Sequence, residues 1–199
     1  MNSNLAVISQ SLAEHQYVIL GAEEVLSIGA LLGRPSKPQL LMPTSRESAR
    51  GRSLSGLFGL GAFPWHTDGA IANNPPRWII LRTMTGDSGV GTELLRPSGD
   101  ILGRLRRTIL TARDPHGSAR YFPAFMPTTK GYTKLRWDPT KCAPMETEVV
   151  SIIENAEPSM SVNWVEGRAL IVDNAALLHR RPAVATARRV LERTYVWSE

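Results

Sequence analysis

The chain has 199 residues, of which 42% are hydrophobic and 21% are charged. This length and composition are typical of a folded soluble protein with a sizeable core, and they exclude an intrinsically disordered chain. We therefore expect a single domain over residues 1–199. The formal net charge of +5 suits an anionic small molecule, an acidic carrier protein or nucleic acid, and it does not choose among them.

Cys142 is the only cysteine, so an intramolecular disulfide and a cysteine-based zinc cluster are both excluded. The first basic residue is Arg34, and the early apolar run at 17–20 is soon followed by two glutamates at 23–24. This pattern contains neither a signal peptide nor a membrane-spanning segment. We expect a soluble, cytoplasmic protein.

Helical and β-rich segments alternate along the first part of the chain. Apolar residues recur at helical spacing over 4–14, a β-rich run follows at 16–20, and a helix is expected over 22–32. A strand at 39–42 precedes residues 44–61, which we interpret as a loop because they are rich in Ser, Arg and Gly. Such loops can carry substrate contacts, although a plain surface connection is commoner.

The middle of the chain contains two predicted strands and one longer helix. The strands, at 78–82 and 92–95, are separated by a glycine-rich turn at 86–91. Ser98 can cap a helix that runs to about Ala112.

Short strands dominate the rest of the chain. Residues 114–145 are rich in Pro, Gly and aromatic side chains, and a short helix is expected over 146–156. β-rich runs then follow at 162–164, 169–174 and 190–197. The whole pattern predicts a mainly β fold with flanking helices.

One histidine and one aspartate, His66 and Asp68, lie two residues apart in the segment 63–70. In a β-strand, side chains with this spacing point to the same face, so the imidazole and the carboxylate converge. The pair is only half of a metal site, and His179 is the obvious candidate for a third donor. Two histidines and one carboxylate form the facial triad of non-haem Fe(II) oxygenases. A lone His-x-Asp pair is, however, more often a hydrogen-bonded turn or core pair.

The last predicted strand carries two arginines on one face. Arg189 and Arg193 share their parity with Leu191, Tyr195 and Trp197. If this face points into a closed sheet, two guanidinium groups enter the interior, where an uncompensated charge costs several kcal/mol. An anion is then expected there, and the planar arginine fork suits a dicarboxylate. The alternative is an outward-facing basic edge strand, which parity alone does not exclude.

Four groups of residues, in this order, resemble the TauD/TfdA (clavaminate-synthase-like) family of Fe(II)/2-oxoglutarate-dependent dioxygenases. They are 64–70, 91–94, 164–167 with 171–174 and 178–179, and 188–193. Each group is modest alone, but four in the right order are a specific signal, and together the resemblance extends from about Leu12 to the C-terminus. It implies, in agreement with the short β runs, a distorted double-stranded β-helix, which is a cupin-like jelly roll.

The resemblance also implies roles for individual residues. It implies three iron ligands, His66, Asp68 and His179. It implies that Thr92 and Arg189 contact the tail carboxylate of 2-oxoglutarate, with Arg193 nearby and touching either co-substrate or substrate. Asn174 matches a position that braces the turn before the distal histidine, and its alternative role is a simple Asx-turn.

The activity implied by the resemblance uses Fe(II), O2 and 2-oxoglutarate as a co-substrate, and it releases succinate and CO2. Hydroxylation is the default outcome. Arg193, Arg180, Arg181 and Arg136 are expected around one mouth, which favours a substrate with a carboxylate, such as an amino acid in a biosynthetic pathway. The alternative is that these arginines face water and keep the protein soluble.

Other functions stay open at this point. A non-catalytic binding module can use the same scaffold, and a cupin-like enzyme can use a metal without 2-oxoglutarate, which an outward-pointing Arg189 would favour. An oxygenase acting on a macromolecular or carrier-bound substrate is motivated by the positive charge. Nucleic acid is not favoured as a partner because no aromatic residues interleave with Arg104 and Arg107.

Overall fold

A computed structural model describes residues 3–49, 51, 53–85, 90–113, 116–128, 131–185 and 189–198. The helices are α1 (Ser3–His15), α2 (Ala22–Leu32), α3 (Leu54–Phe58), α4 (Gly99–Arg107) and α5 (Glu148–Glu154). The strands are β1 (Tyr17–Gly21), β2 (Arg34–Pro35), β3 (Gln39–Leu41), β4 (Trp78–Thr85), β5 (Thr92–Leu95), β6 (Ile109–Arg113), β7 (Ala119–Pro123), β8 (Phe125–Pro127), β9 (Thr133–Leu135), β10 (Ala143–Pro144), β11 (Met160–Val162), β12 (Arg168–Asp173), β13 (Leu178–Arg180) and β14 (Val190–Trp197). Most of the glycine-rich turn predicted at 86–91 lies outside the described residues.

Two antiparallel sheets form the centre of the molecule. The larger sheet has the strand order β1-β12-β4-β14-β2, with β3 also paired to β14, and the smaller sheet has the order β11-β5-β13. Side chains from both sheets, including Ile79, Leu94, Leu170 and Leu191, fill one common core. The predicted mainly β, jelly-roll architecture is therefore confirmed.

The outer face of the larger sheet is covered by α1 and α2. Val25 of α2 packs with Ile80 of β4 and Ile171 of β12, whereas the alternate residues Ile79 and Leu170 point into the core between the sheets. Because both faces are buried over residues 78–81 of β4 and 169–172 of β12, these stretches are continuous apolar runs instead of alternating ones. No helix among the described residues is long and apolar enough to cross a membrane.

The outer face of the smaller sheet is covered by α4, α5 and the sheet β10-β6-β7. Leu95 and Leu178 of the smaller sheet pack with Leu105 of α4 and Ile153 of α5. Trp137, whose side chain is 1% exposed, belongs to the same cluster. This layer lies directly behind β13, the strand that carries His179.

The helix predicted over 98–112 is shorter than expected. It ends at Arg107 because Thr108 adopts an extended backbone conformation (φ −78°, ψ 127°) and its hydroxyl donates to the Arg104 carbonyl at 2.9 Å. Residues 109–113 form β6, in which the buried Leu110 and Ala112 alternate with more exposed neighbours. The strand β6 therefore begins within the stretch that the sequence pattern assigned to the helix.

The segment 44–61 is not entirely a loop. It contains the short helix α3, whose first turn is capped by Ser53, since the Ser53 hydroxyl accepts a hydrogen bond from the Gly56 N–H at 3.0 Å. Ser capping is a local interaction. The helix was nevertheless missed, because the Ser- and Gly-rich composition of the segment is typical of a loop.

Candidate metal centre

The two candidate histidines face each other across an isolated antiparallel bridge. The His66 N–H donates to the His179 carbonyl at 3.1 Å, and the His179 N–H donates to the His66 carbonyl at 2.9 Å. Side chains at such directly opposite positions lie side by side. The two imidazole rings accordingly have centroids only 4.3 Å apart.

Asp68 lies close to the two histidines, but its backbone forms a turn and not the predicted strand. Only His66 makes a bridge, and the chain turns at 68–71 instead of continuing as a strand. Gly69 permits the turn because its φ is +72°, and a Cβ there would lie 3.1 Å from the Pro76 ring. The prediction that His66 and Asp68 share one face is right, whereas the strand invoked to explain it is wrong.

Asn174 holds the backbone of Asp68 in this turn. Its carboxamide oxygen accepts from the Asp68 N–H at 2.8 Å, and its amide nitrogen donates to the Asp68 carbonyl at 3.0 Å and to the Pro76 carbonyl at 2.8 Å. Asn174 thus braces the turn that carries Asp68. The Asx-turn itself belongs to the preceding residue, Asp173, which accepts from the Ala175 N–H.

One potential ligand atom from each of His66, Asp68 and His179 lies within 4.8 Å of the others. The His66 Nδ1–H donates to the Pro64 carbonyl at 2.9 Å, which leaves Nε2 with a free lone pair. His179 Nε2 lies 3.8 Å from Asp68 Oδ2. Two imidazoles and a carboxylate are the donor set of non-haem iron sites, so these side chains fit a divalent iron ion.

The protonation states of two of these residues suit metal binding. Burial lowers the pKa of His179 to about 3, with a further contribution from His66, so the ring is neutral near pH 7. Burial alone would raise the pKa of Asp68, but Arg193, the two histidines and the Tyr195 hydroxyl outweigh it and lower that pKa. A neutral imidazole and an ionised carboxylate are the forms that ligate a metal.

Arg193 points inward, which is one of the two orientations that the parity of β14 left open, and it lies beside Asp68, a contact that the sequence did not predict. Its Nη1 donates to Asp68 Oδ2 at 3.1 Å, and its Nη2 donates to the side-chain oxygen of Gln39 at 3.0 Å. The Tyr195 hydroxyl is a second hydrogen-bond partner of Asp68. Burial and the nearby carboxylate raise the pKa of Tyr195, so the phenol stays protonated and donates.

Arg189 is buried, with 6% of its surface exposed, and makes no ion pair with an acidic side chain among the described residues. Its Nη1 donates to the carbonyls of Val90 and Gly91 at 3.1 and 3.3 Å, and its Nε has no hydrogen-bond partner there. Burial, and secondarily Arg181, lowers the pKa of Arg189 to about 10, so it remains cationic. The adjoining Thr92 is also buried, and its hydroxyl accepts from the Trp164 indole at 2.9 Å.

The other three arginines expected around one mouth are held by contacts within the fold. Arg180 pairs with a glutamate of β5 and stacks on Trp65. Arg181 donates to two backbone carbonyls of the segment 59–61, and Arg136 donates to the carbonyls of residues 70, 72 and 73, in and just after the Asp68 turn. Both Arg181 and Arg136 are buried, so the alternative that they face water is wrong. The expectation of free guanidinium groups is wrong for Arg136 and Arg180, whose donors are held by backbone carbonyls and by a glutamate.

Sequence reasoning assigned no role to several residues that shape the site. Glu154 of α5 accepts the Trp65 N–H with both carboxylate oxygens, at 3.2 and 3.3 Å. Thr67 exchanges hydrogen bonds with the backbone of Trp137. Only Tyr195 had a usable signal, since it shares the parity of Arg193, whereas the other contacts join residues at least 70 positions apart.

No protein-family model and no curated protein matches this chain. Solved structures do match it. Asparagine oxygenase in complex with Fe(II), 2S,3S-3-hydroxyasparagine and succinate is 16% identical, has a TM-score of 0.77, and the match covers 99% of this chain and 80% of that one. The chain has the fold of an iron oxygenase.

Two further structures are similar over almost the whole chain. The non-haem iron oxygenase OrfP, in complex with Fe and alpha-ketoglutaric acid, is 15% identical with a TM-score of 0.74, and the match covers 100% of this chain and 81% of that one. PvcB from Pseudomonas aeruginosa is 18% identical with a TM-score of 0.66, over 96% and 79% of the two chains. The resemblance first drawn from four groups of residues is thus confirmed at the level of the fold.

We predict that Asp173 makes the protein less stable as the pH rises. Burial raises its pKa from the usual 3.8 to about 6, although Arg77, at 3.5 Å, partly offsets the effect. Because the folded state raises this pKa, the protonated form is favoured, and its stabilisation is lost as the pH rises from about 4 to about 6. The shift corresponds to a loss on the order of 2–3 kcal/mol.

The variant Asp173→Asn keeps an acceptor oxygen for the Ala175 N–H but does not titrate. The unfolding free energy of the native protein minus that of the variant should fall between pH 4 and pH 7, measured by urea denaturation. The exposed Glu157→Gln is the matched control and should show no such fall. A difference that stays constant with pH, or that rises, would contradict the raised pKa.

Proposed function

We propose that the chain is a non-haem Fe(II)/2-oxoglutarate-dependent dioxygenase that hydroxylates an amino acid or a related small acid. The observation that carries the proposal is the convergence of His66, Asp68 and His179 within 4.8 Å, on the fold of iron oxygenases. Solved structures with this fold include an asparagine oxygenase with 3-hydroxyasparagine and OrfP with (3S)-hydroxy-L-Arg. We also propose that residues 1–199 act as one cytoplasmic domain.

In this proposal, His66 and His179 hold Fe(II) through their imidazoles and Asp68 through a carboxylate oxygen. When bound, the iron, together with 2-oxoglutarate and O2, supplies the oxidising power, with release of succinate and CO2. The hydrogen bond from His66 Nδ1 to the Pro64 carbonyl fixes the orientation of that ring. Arg193 and Tyr195 fix the carboxylate of Asp68 through hydrogen bonds.

Arg189 is assigned to the far carboxylate of 2-oxoglutarate. Among the described residues this buried guanidinium has no acidic partner and its Nε no acceptor, which is costly, so a carboxylate ligand there supplies both the missing charge and the acceptor. Thr92, which follows the Gly91 carbonyl bound by Arg189, is assigned one hydrogen bond to the same carboxylate. The burial of Arg189 also argues against a metal enzyme that does not use 2-oxoglutarate.

Arg193 is assigned to the carboxylate of the substrate. It is the arginine that contacts an acidic residue of the triad, and 21% of its side chain is exposed. Arg180, Arg181 and Arg136 are held elsewhere, so one carboxylate is all that this side of the site is expected to recognise. A small amino acid fits that requirement better than a polyanion.

The triad is tested by removing one donor at a time. His66→Ala, Asp68→Ala and His179→Ala should each lower the affinity for Fe(II) at least about 100-fold, because loss of a direct ligand costs more than loss of an outer contact. Metal content after equilibrium dialysis and succinate formation from 2-oxoglutarate are the two measurements.

His116→Ala is the matched control for the triad, because it removes an imidazole outside the proposed site. It should bind iron and form succinate as the native protein does. Full turnover in any one of the three triad variants would end the assignment of that residue as a ligand.

The co-substrate assignment is tested by Arg189→Lys, which keeps the charge but loses the bidentate fork. The apparent KM for 2-oxoglutarate should rise about tenfold or more. Thr92→Val should raise it less, because one hydrogen bond is removed. Arg193→Lys is the comparison, and if it raises this KM while Arg189→Lys does not, the two arginines have exchanged roles.

The substrate class is tested by screening free amino acids and small organic acids for stimulation of succinate formation. Acids should stimulate strongly, and the matched amides, which lack the carboxylate proposed to bind Arg193, should stimulate at least about tenfold less. If the amides are as effective, or if only carrier-bound substrates or oligonucleotides stimulate, the small-acid assignment is wrong.

A further inference from the structure

We propose that the protein has a second small-molecule site, in a cavity between α2 and the outer face of the larger sheet. The cavity has a volume of about 220 Å³, which is room for about seven water molecules at ~30 Å³ each. This volume is below the ~300–1,000 Å³ of drug-sized pockets. The ligand class that fits is an uncharged molecule with one amide group between two short apolar groups.

The cavity and the metal centre lie on opposite faces of β14. Glu192 and Thr194 line the cavity, whereas Leu191 packs in the core between the sheets and Arg193 contacts Asp68. Because side chains alternate along a strand, a molecule in the cavity does not reach the triad. The cavity is therefore a site of its own and is not an extension of the substrate pocket.

The polar part of the cavity is an ion pair. Arg82 Nη2 lies 2.9 Å from Glu192 Oε1, and about four fifths of each side chain is buried. The Arg82 Nε is buried and has no acceptor among the described residues, so a small movement of this side chain toward a ligand breaks no Nε hydrogen bond. The cation and the anion cancel, so the polar part of the cavity is neutral overall.

This neutrality decides the ligand class. A ligand carboxylate would meet the charge of Glu192, and a ligand amine would meet that of Arg82. An amide matches both, because its carbonyl accepts from a guanidinium and its N–H donates to a carboxylate.

The surfaces on both sides of the ion pair are apolar. On one side the cavity is lined by Val25, Ile80 and two prolines of the segment 35–38. On the other side, Leu40 lies directly across from Glu192 in the sheet, and Met84 follows Arg82 on the same face of β4. Leu40 is 63% exposed and Met84 is 40% exposed. An amide with an apolar group at each end covers both surfaces.

The site is tested with N-propylbutanamide as the probe, titrated into the purified full chain by isothermal titration calorimetry. We expect saturable binding of one molecule with a Kd of about 1 mM or tighter, given the size of the probe. Ala30→Phe, at an exposed helix position that lines the cavity, fills this space and should weaken binding at least about tenfold. Ser27→Phe, at an exposed position of the same helix outside the cavity lining, is the matched control and should bind as the native chain does.

A second variant tests the charge argument independently of the cavity volume. The native protein should bind N-propylbutanamide at least about tenfold more tightly than heptanoate or heptylamine. In Glu192→Gln the guanidinium of Arg82 is no longer neutralised, so heptanoate should become the tighter ligand. Absence of saturable amide binding to the native protein, equal binding to correctly folded Ala30→Phe, or an unchanged order of ligands in Glu192→Gln would each overturn the proposal.

Discussion

The candidate metal centre depends on the pair of backbone hydrogen bonds that joins His66 to His179. The surrounding backbone is fixed residue by residue, because the N–H groups of 65, 66, 67 and 68 go to four separate parts of the chain. Their acceptors are Glu154, His179, Trp137 and Asn174 in turn. None of these four N–H groups is satisfied by its neighbours in sequence, so the position of the triad is a property of the whole fold.

The second constraint on the site is the positive charge of the arginines that point into the jelly roll. Arg193 and Tyr195 meet the carboxylate of Asp68, whereas the partners of Arg189 within the described part of the chain are carbonyl oxygens. Carbonyl groups solvate a guanidinium without cancelling its positive charge. The uncompensated charge therefore favours binding of an anionic molecule in the interior. Arg136 differs from Arg189, because both of its Nη atoms donate to carbonyls, those of residues 70, 72 and 73, and its fork is therefore occupied.

The sequence predicted those elements that follow from the local spacing of apolar residues. It did not predict features that depend on contacts between residues far apart in the chain. The alternation over 190–197 predicted the strand and grouped Arg193 with Leu191 and Tyr195 on one face, but left open whether that face points inward, as it does. The helix over 22–32 has the predicted bounds. Thr108 ended a helix that apolar spacing alone would continue. The turn at Asp68 depends on Asn174, which is 106 positions away, so the local sequence around Asp68 does not predict that contact. The arginine contacts were missed for the same reason, since their acceptors are backbone carbonyls, which any residue can supply.

The strand β14 separates two chemically different environments, one on each side. Its odd-numbered residues from Leu191 to Tyr195 face the core and the metal centre, and its even-numbered residues Glu192 and Thr194 face α2. A single substitution in this strand therefore alters one environment and leaves the contacts of the other in place. In an evolving lineage, the residues around the candidate metal centre and those beneath α2 can therefore change independently, although they alternate along the same eight positions.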